Sequence, residues 1–284
     1  MRSLDQVKLT ALMQRTQGSS NVAIGLIDGP VQLTHPLLES DRIKVLNNAG
    51  HCARAASVAC AHGTFVAGIL HARRGGAAPG ICPGCTMIVR SIFPEREDGH
   101  AFPICEPEEL ATAVRDCVES GARVLNLSLG LLGATPGKER ALVDSLGYAA
   151  RRGVLVVAAS GNQGVVGGSA LTRHPNVLPV VAVDKSSRVI GVSNIGASIG
   201  RRGLAAPGDD VVSLSPDGGT RSFSGTSAAT PFVTGAIALL WSLFPAFPAA
   251  RIRMAVAGLS ASRSSVVPPM LDVQTAWSAL SQAS

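Results

Sequence analysis

The chain has 284 residues, 46% of them hydrophobic and 15% charged, with a formal net charge of +6. A chain of this size can bury one large core, and its 31 glycines and 17 prolines among short apolar runs describe buried strands joined by tight turns, not disorder. The basic residues fall as scattered singles and pairs (Arg73 and Arg74, Arg151 and Arg152, Arg201 and Arg202) and aromatic residues are few, so neither the charged face nor the stacking surface of a nucleic-acid binder is present.

Residues 4–15 place Leu4, Val7 and Ala11 at helical spacing with Gly18, Ser19 and Ser20 beyond, which predicts a short surface helix and a linker over residues 1–21. This stretch is polar and acidic where a signal peptide needs an unbroken apolar run, so no export signal is expected and a cytoplasmic location is. The domain proper is expected over residues 22–284. Apolar strand candidates at 22–27 (VAIGLI), 86–92 (TMIVRSI), 123–129 (RVLNLSL) and 154–159 (VLVVAA) alternate with helical stretches at 62–72, 107–120 and 137–151. Such alternation predicts an α/β fold in three layers, a mostly parallel sheet flanked by helices, with ligands beyond the carboxyl ends of the strands. After residue 178 shorter units (VLPVVAV, RVIGVS, GLAAPG, DVVSLS, RSFSG) predict strands and turns before a long helix at 226–244 and two C-terminal helices. The longest apolar run, residues 235–244, is too short to span a bilayer, and no membrane partner is expected.

Six cysteines (Cys52, Cys60, Cys82, Cys85, Cys105 and Cys117) cluster in the first half. Cys82 and Cys85 form a CPGC, but no second CxxC completes a zinc site, so reduced or locally bridged structural cysteines are expected.

Four segments carry candidate chemistry. Asp28 follows the strand VAIGLI, where the chain would deliver a carboxylate to the sheet edge; alone, it could equally be a turn residue. His62 opens HGTFVAGIL, and an imidazole at a helix start can accept and return a proton near neutral pH, although a packed core histidine has the same look. Asn162 ends VLVVAASGN, where its amide could donate to a developing negative charge or simply close a turn. Ser227 lies in FSGTSAATPFVTGAIALL, a small-residue turn opening a long apolar helix whose first N–H groups are free to donate. The helix-cap alternative explains a serine but not the whole GTSAATP string. Pro231 is expected to sit early enough in that helix for its missing N–H to cost little.

In the order Asp28, His62, Asn162, Ser227, these segments resemble the subtilase family of serine peptidases, as do His35-Pro36, the SLG at 128–130, the SGN at 160–162, the APG at 206–208 and the GTSAATP at 225–231. The resemblance covers about residues 20–245. DGPV at 28–31, GNQG at 161–164 and PDGG at 216–219 are similar to the proteases that mature cyanobactins and related ribosomally made peptides. Phe65 departs from the commoner histidine in HGTHVAG.

The resemblance implies an acyl-transfer endopeptidase with Asp28, His62 and Ser227 as catalytic triad and Asn162 as oxyanion donor. It further implies that Ser128, Leu129 and Gly130 pair with an extended peptide substrate and that Ala159, Ser160 and Gly161 wall the pocket for the residue before the cut. No cofactor, prodomain or required calcium is expected, since Asp209 and Asp210 alone do not make an oxygen cage. Two alternatives stand beside a precursor-processing enzyme: a catalytically silent peptide-binding module, and a general degradative protease.

Overall fold

The computed structural model describes residues 2–38, 40–46, 51–95, 104–131, 139–258 and 264–283. Its strands are β1 (Ala23–Asp28), β2 (Ile43–Val45), β3 (Thr86–Ser91), β4 (Ile104–Cys105), β5 (Val124–Leu127), β6 (Gly130–Leu131), β7 (Leu155–Ala159), β8 (Val177–Val183), β9 (Leu204–Pro207), β10 (Val211–Leu214) and β11 (Thr220–Phe223). Its helices are α1 (Arg2–Gln6), α2 (Leu9–Arg15), α3 (Val58–His71), α4 (Pro107–Glu119), α5 (Arg140–Arg151), α6 (Ala170–Arg173), α7 (Ala197–Arg202), α8 (Thr226–Leu243), α9 (Ala249–Ala257) and α10 (Val273–Ser281).

Among the described residues, seven strands form one sheet in the order β2, β3, β1, β5, β7, β8, β9, with every pairing parallel. Both faces of the sheet are covered, which is why β5, β7 and β8 are buried along their whole length and, Asn126 apart, apolar without alternation. The helices α3 and α8 bury one face in a core that includes Phe65, Val233 and Trp241, and α4 and α5 bury the other around Leu110, Val114 and Leu146. This is the expected three-layer α/β arrangement. Chain order reverses across the neighbouring strands β1 and β5, and the crevice at such a point, beyond the carboxyl ends, is where open parallel sheets bind ligands.

The expected surface helix at 4–15 is instead two helices, broken where Lys8 adopts φ 57°. Val7, Leu9 and Leu12 are buried in the main core, α2 packs on α8 and α10, and Lys8 Nζ reaches Asp272 Oδ2 at 2.6 Å. The helix carrying His62 begins at Val58, one turn earlier than read from the sequence, because Ser57 accepts the Cys60 N–H at 3.0 Å as an N-cap. The segment RVIGVS makes no strand: an isolated bridge from Val189 to Val183 and hydrogen bonds from Ile190 and Ser193 to Ala182 join it to β8. The first residues of the helix expected at 137–151 lie outside the described residues.

The apolar run at 235–244 proves to be the second half of α8. The complete 18-residue helix is long and apolar enough to cross a membrane, but fifteen of its residues are buried against the sheet and its neighbours. Its hydrophobicity is that of a central core helix. Cys52 and Cys60 are joined by a disulfide, whereas Cys82, Cys85, Cys105 and Cys117 are free and buried. Burial pushes the Cys105 and Cys117 thiols up to about 12, so both stay protonated and inert.

Candidate active site

Asp28 is the last residue of β1 and is fully buried. Two glycines let α3 close onto this strand end: a Cβ on Gly63 would lie 2.4 Å from the carbonyl oxygens of Gly29 and Pro30, and one on Gly29 would lie 2.0 Å from that of Ala59. The contact places His62 Nδ1 2.6 Å from Asp28 Oδ1, which also accepts the Gly29 N–H at 2.7 Å. A carboxylate on Nδ1 fixes that nitrogen as the protonated one and leaves Nε2 as the basic edge. Phe223 tilts against the His62 ring at 6.2 Å and meets Phe65 edge-on at 4.7 Å, so the phenylalanine in place of the commoner histidine extends an aromatic support behind the imidazole.

Ser227 is the second residue of α8. Pro231 is the sixth, not within the first turn, so it withholds an N–H from the carbonyl four residues earlier, that of Ser227 itself. The cost is met from outside the helix. Ser128 Oγ donates to the Ser227 carbonyl at 3.0 Å and accepts from Asn126 Nδ2 at 2.9 Å, while Thr234 Oγ1 donates to Asn126 Oδ1 at 2.8 Å. Ser128, Asn126 and Thr234 are all fully buried, so this network fixes the start of α8 against β5.

Asn162 is oriented from the same helix. Its Oδ1 accepts both the Thr226 N–H and the Thr226 hydroxyl, each at 2.9 Å, and the Nδ2 edge remains for a ligand. The amide of the first helical residue is thereby used as a clamp; the free helical amide next to the hydroxyl is that of Ser227. Gly225, at φ 144° and ψ 173°, makes the approach possible, since a Cβ there would lie 3.0 Å from Asn162 Nδ2.

His62, Asn162 and Ser227 line one cavity of about 350 Å³ together with Ser128, Leu129, Gly130, Ala159 and Gly161. Among the described residues, Ser227 and His62 share its wall without a direct hydrogen bond, a common state of an unliganded site. Of the residues expected to contact substrate, Ser160 departs: it is buried, with its N–H on the Val180 carbonyl, and does not line the cavity. The expected pairing strand is also partly taken, because Gly130 and Leu131 form β6 alongside Ile104 and Cys105. Four lining residues not singled out from the sequence are Gln163, Val192, Ser224 and Thr226.

Motifs that looked separate in the sequence meet beside the site. His35 Nε2 lies 3.1 Å from the Gly219 carbonyl, and the Gln32 side-chain amide donates to that of Pro216, so the loop after β1 is tied to the PDGG turn joining β10 and β11. Asp209 accepts from the Ser224 hydroxyl and Asp210 from Lys185, each carboxylate serving a local partner. Cys52, Cys60 and the Glu95 carboxylate lie together, but both sulfurs belong to the disulfide and Glu95 accepts from the Ala53 and Arg54 amides and the Ser57 hydroxyl.

Residues 19–264 match the Subtilase family, more than half of the chain. The chain belongs to the subtilase family. It is 34% identical over 241 residues to the thermophilic serine proteinase of Bacillus sp. (strain AK1), covering 80% of this chain and 54% of that one. To subtilisin amylosacchariticus of Bacillus subtilis subsp. amylosacchariticus it is 28% identical over 88% of this chain and 63% of the other, so it spans little over half the length of these relatives. Among solved structures, the protease domain of PatA superposes with a TM-score of 0.84 at 30% identity, covering 94% of this chain and 98% of that one. The prenylagaramide maturation protease PagA superposes at 0.82 and 27% identity, with coverages of 96% and 98%. The subtilase sheet order, the buried carboxylate–imidazole pair and the serine at the start of the central helix thus lie in a frame shared almost end to end with these domains.

Proposed function

We propose that this subtilase is a serine endopeptidase that cleaves an extended peptide through an acyl-enzyme on Ser227. The observation that carries the reading is the buried Asp28–His62 pair at 2.6 Å, whose imidazole opens on the cavity that also holds Ser227 and Asn162. His62 Nε2 takes the hydroxyl proton as Ser227 Oγ bonds to the substrate carbonyl carbon, and Asp28 holds the tautomer and stabilises the imidazolium. The carbonyl oxygen, now negative, accepts from Asn162 Nδ2 and the Ser227 N–H. The C–N bond then breaks, the leaving amine takes the proton from His62, and water releases the acyl group by the reverse sequence. Losing the asparagine donor costs about 10²–10³ in kcat, a figure taken from subtilisin itself and not from this chain.

The proposed substrate is the precursor of a ribosomally made peptide. The similarity to PatA and PagA over nearly the whole of each solved domain supports this, since they are named as the patellamide and the prenylagaramide maturation protease. The cavity agrees with an uncharged side chain before the cut, as its lining among the described residues holds no Asp, Glu, Lys or Arg. Ser227→Ala is expected to abolish cleavage with the melting temperature retained, and a fluorophosphonate should label native Ser227; full turnover by the variant, or labelling at another residue, refutes the assignment. A set of precursor peptides followed by mass spectrometry tests the substrate class, with equal cleavage of unrelated unfolded proteins favouring a degradative enzyme.

A further inference from the structure

We infer that Asn194 is a positioning residue for the oxyanion donor, an inference that rests on the role proposed above for Asn162. Asn162 follows the end of β7 in a loop with no regular backbone pairing of its own, so its side-chain position depends on what holds residues 160–165. Thr226 grips the Asn162 side-chain oxygen and, through its hydroxyl, the Gly161 N–H at 3.3 Å. Val180 and Val192 each accept one N–H of this loop, from Ser160 and Gly164, but Asn194 bonds to the backbone on both sides of Asn162 at once. The Asn194 N–H donates to the Gly161 carbonyl at 2.9 Å, and its Nδ2 donates to the Ser160 carbonyl at 3.2 Å and to Gln163 Oε1 at 2.6 Å. Its Oδ1 accepts the N–H groups of Gln163 at 3.1 Å and Val165 at 3.2 Å.

Both polar atoms of this side chain are therefore spent on Ser160, Gln163 and Val165, which bracket Asn162. Asn194 itself is buried and lies outside the cavity lining, so it acts on substrate only through the loop. The amide suits the task for a chemical reason. Two backbone donors on one side of Asn162 and a backbone acceptor on the other require a side chain that accepts and donates at once, which among short side chains a planar carboxamide does with fixed geometry. A donor aimed at a transition state must be fixed before the charge develops, because its value comes from needing no reorganisation. Tying both flanks to one residue supplies that fixity without filling the cavity.

The test is a double-mutant cycle of Asn194→Ala and Asn162→Ala on a peptide that the native enzyme cleaves, with kcat and KM measured separately and melting temperature recorded for each variant. Asn194→Ala alone is expected to lower kcat by about 10-fold to 100-fold, less than the roughly 10²–10³ for outright loss of an oxyanion donor, with a smaller change in KM. In the Asn162→Ala background the same substitution should lower kcat by less than about 3-fold, since the donor it positions is already gone. Losses that multiply fully in the double variant, or a kcat for Asn194→Ala within about 2-fold of native, overturn the inference. Should the alanine variant not fold, Asn194→Asp, which keeps the two acceptor contacts to the Gln163 and Val165 amides, enters the same cycle with the same criteria. A native kcat in Asn162→Ala alone refutes the oxyanion role, and the positioning role with it; a low kcat there combined with multiplicative losses refutes only the positioning.

Discussion

Replacing Gly225 by alanine tests how the helix that carries Ser227 is joined to the oxyanion site. The residue sits at φ 144° and ψ 173°, a region that is essentially glycine's alone, where a side chain costs about 1–3 kcal/mol of backbone strain. The added Cβ would also lie 3.0 Å from Asn162 Nδ2 and 3.2 Å from its Oδ1, so the amide must retreat by about 0.4 Å to reach ordinary contact at 3.4 Å. Asn162 cannot yield freely, because Thr226 holds its Oδ1 by two bonds of 2.9 Å. A misplacement of about 1 Å can cost 10²-fold in rate, so the smaller shift of about 0.4 Å is expected to lower kcat by roughly 10-fold with KM little changed. At about 2–4 °C per kcal/mol, the strain should lower the melting temperature by roughly 2–12 °C. Steady-state kinetics with a short peptide and thermal unfolding of the same preparations give both numbers. A lowered melting temperature with native kcat would show that the glycine serves the backbone alone; no change in either would refute the geometric reasoning altogether.

Two further outcomes follow from other parts of the molecule. Replacing Cys52 and Cys60 together by serine opens a loop closed over eight positions and should cost about 2–3 kcal/mol by the chain-entropy estimate; reductant added to the native protein should shift the denaturant midpoint similarly, and an unmoved midpoint would count against the bridge. Thr234→Val keeps the shape of the side chain but leaves the buried Asn126 Oδ1 without its donor. It should destabilise the fold by about 1–3 kcal/mol and slow turnover by loosening the tie from Ser128 to the Ser227 carbonyl, so native stability and native turnover together would refute the network's role.

The four chemical segments were legible in the sequence because each is a local string in which the residue types announce a strand end, a helix start or a tight turn. The parallel sheet was legible too, from apolar runs without alternation. What escaped notice depends on contacts far apart in the chain. Asn126 is one polar residue inside RVLNLSL, and only the proximity of Thr234, 108 positions on, reveals it as the middle of a hydrogen-bonded chain. Asn194 lies in an unremarked loop whose partners are about 30 residues earlier. Phe223 was read as part of a strand, yet its ring lies between Phe65 and the His62 side chain. Residues 4–15 were misjudged for a related reason: their apolar stripe was visible, but not that α8 and α10 would cover it.

That last contact bears on how the protein comes to be folded. The pairing of Lys8 with Asp272 joins positions 264 apart, and the Val273 N–H donates to the Val7 carbonyl beside it. During synthesis α2 therefore emerges well before α8 and α10, and its apolar side waits for that cover while the intervening sheet is made. Closing so long a loop, on top of an all-parallel sheet, makes for a slow and late-cooperative transition. Through that interval α2 presents exposed hydrophobic surface, a segment in need of protection from aggregation while the chain is made.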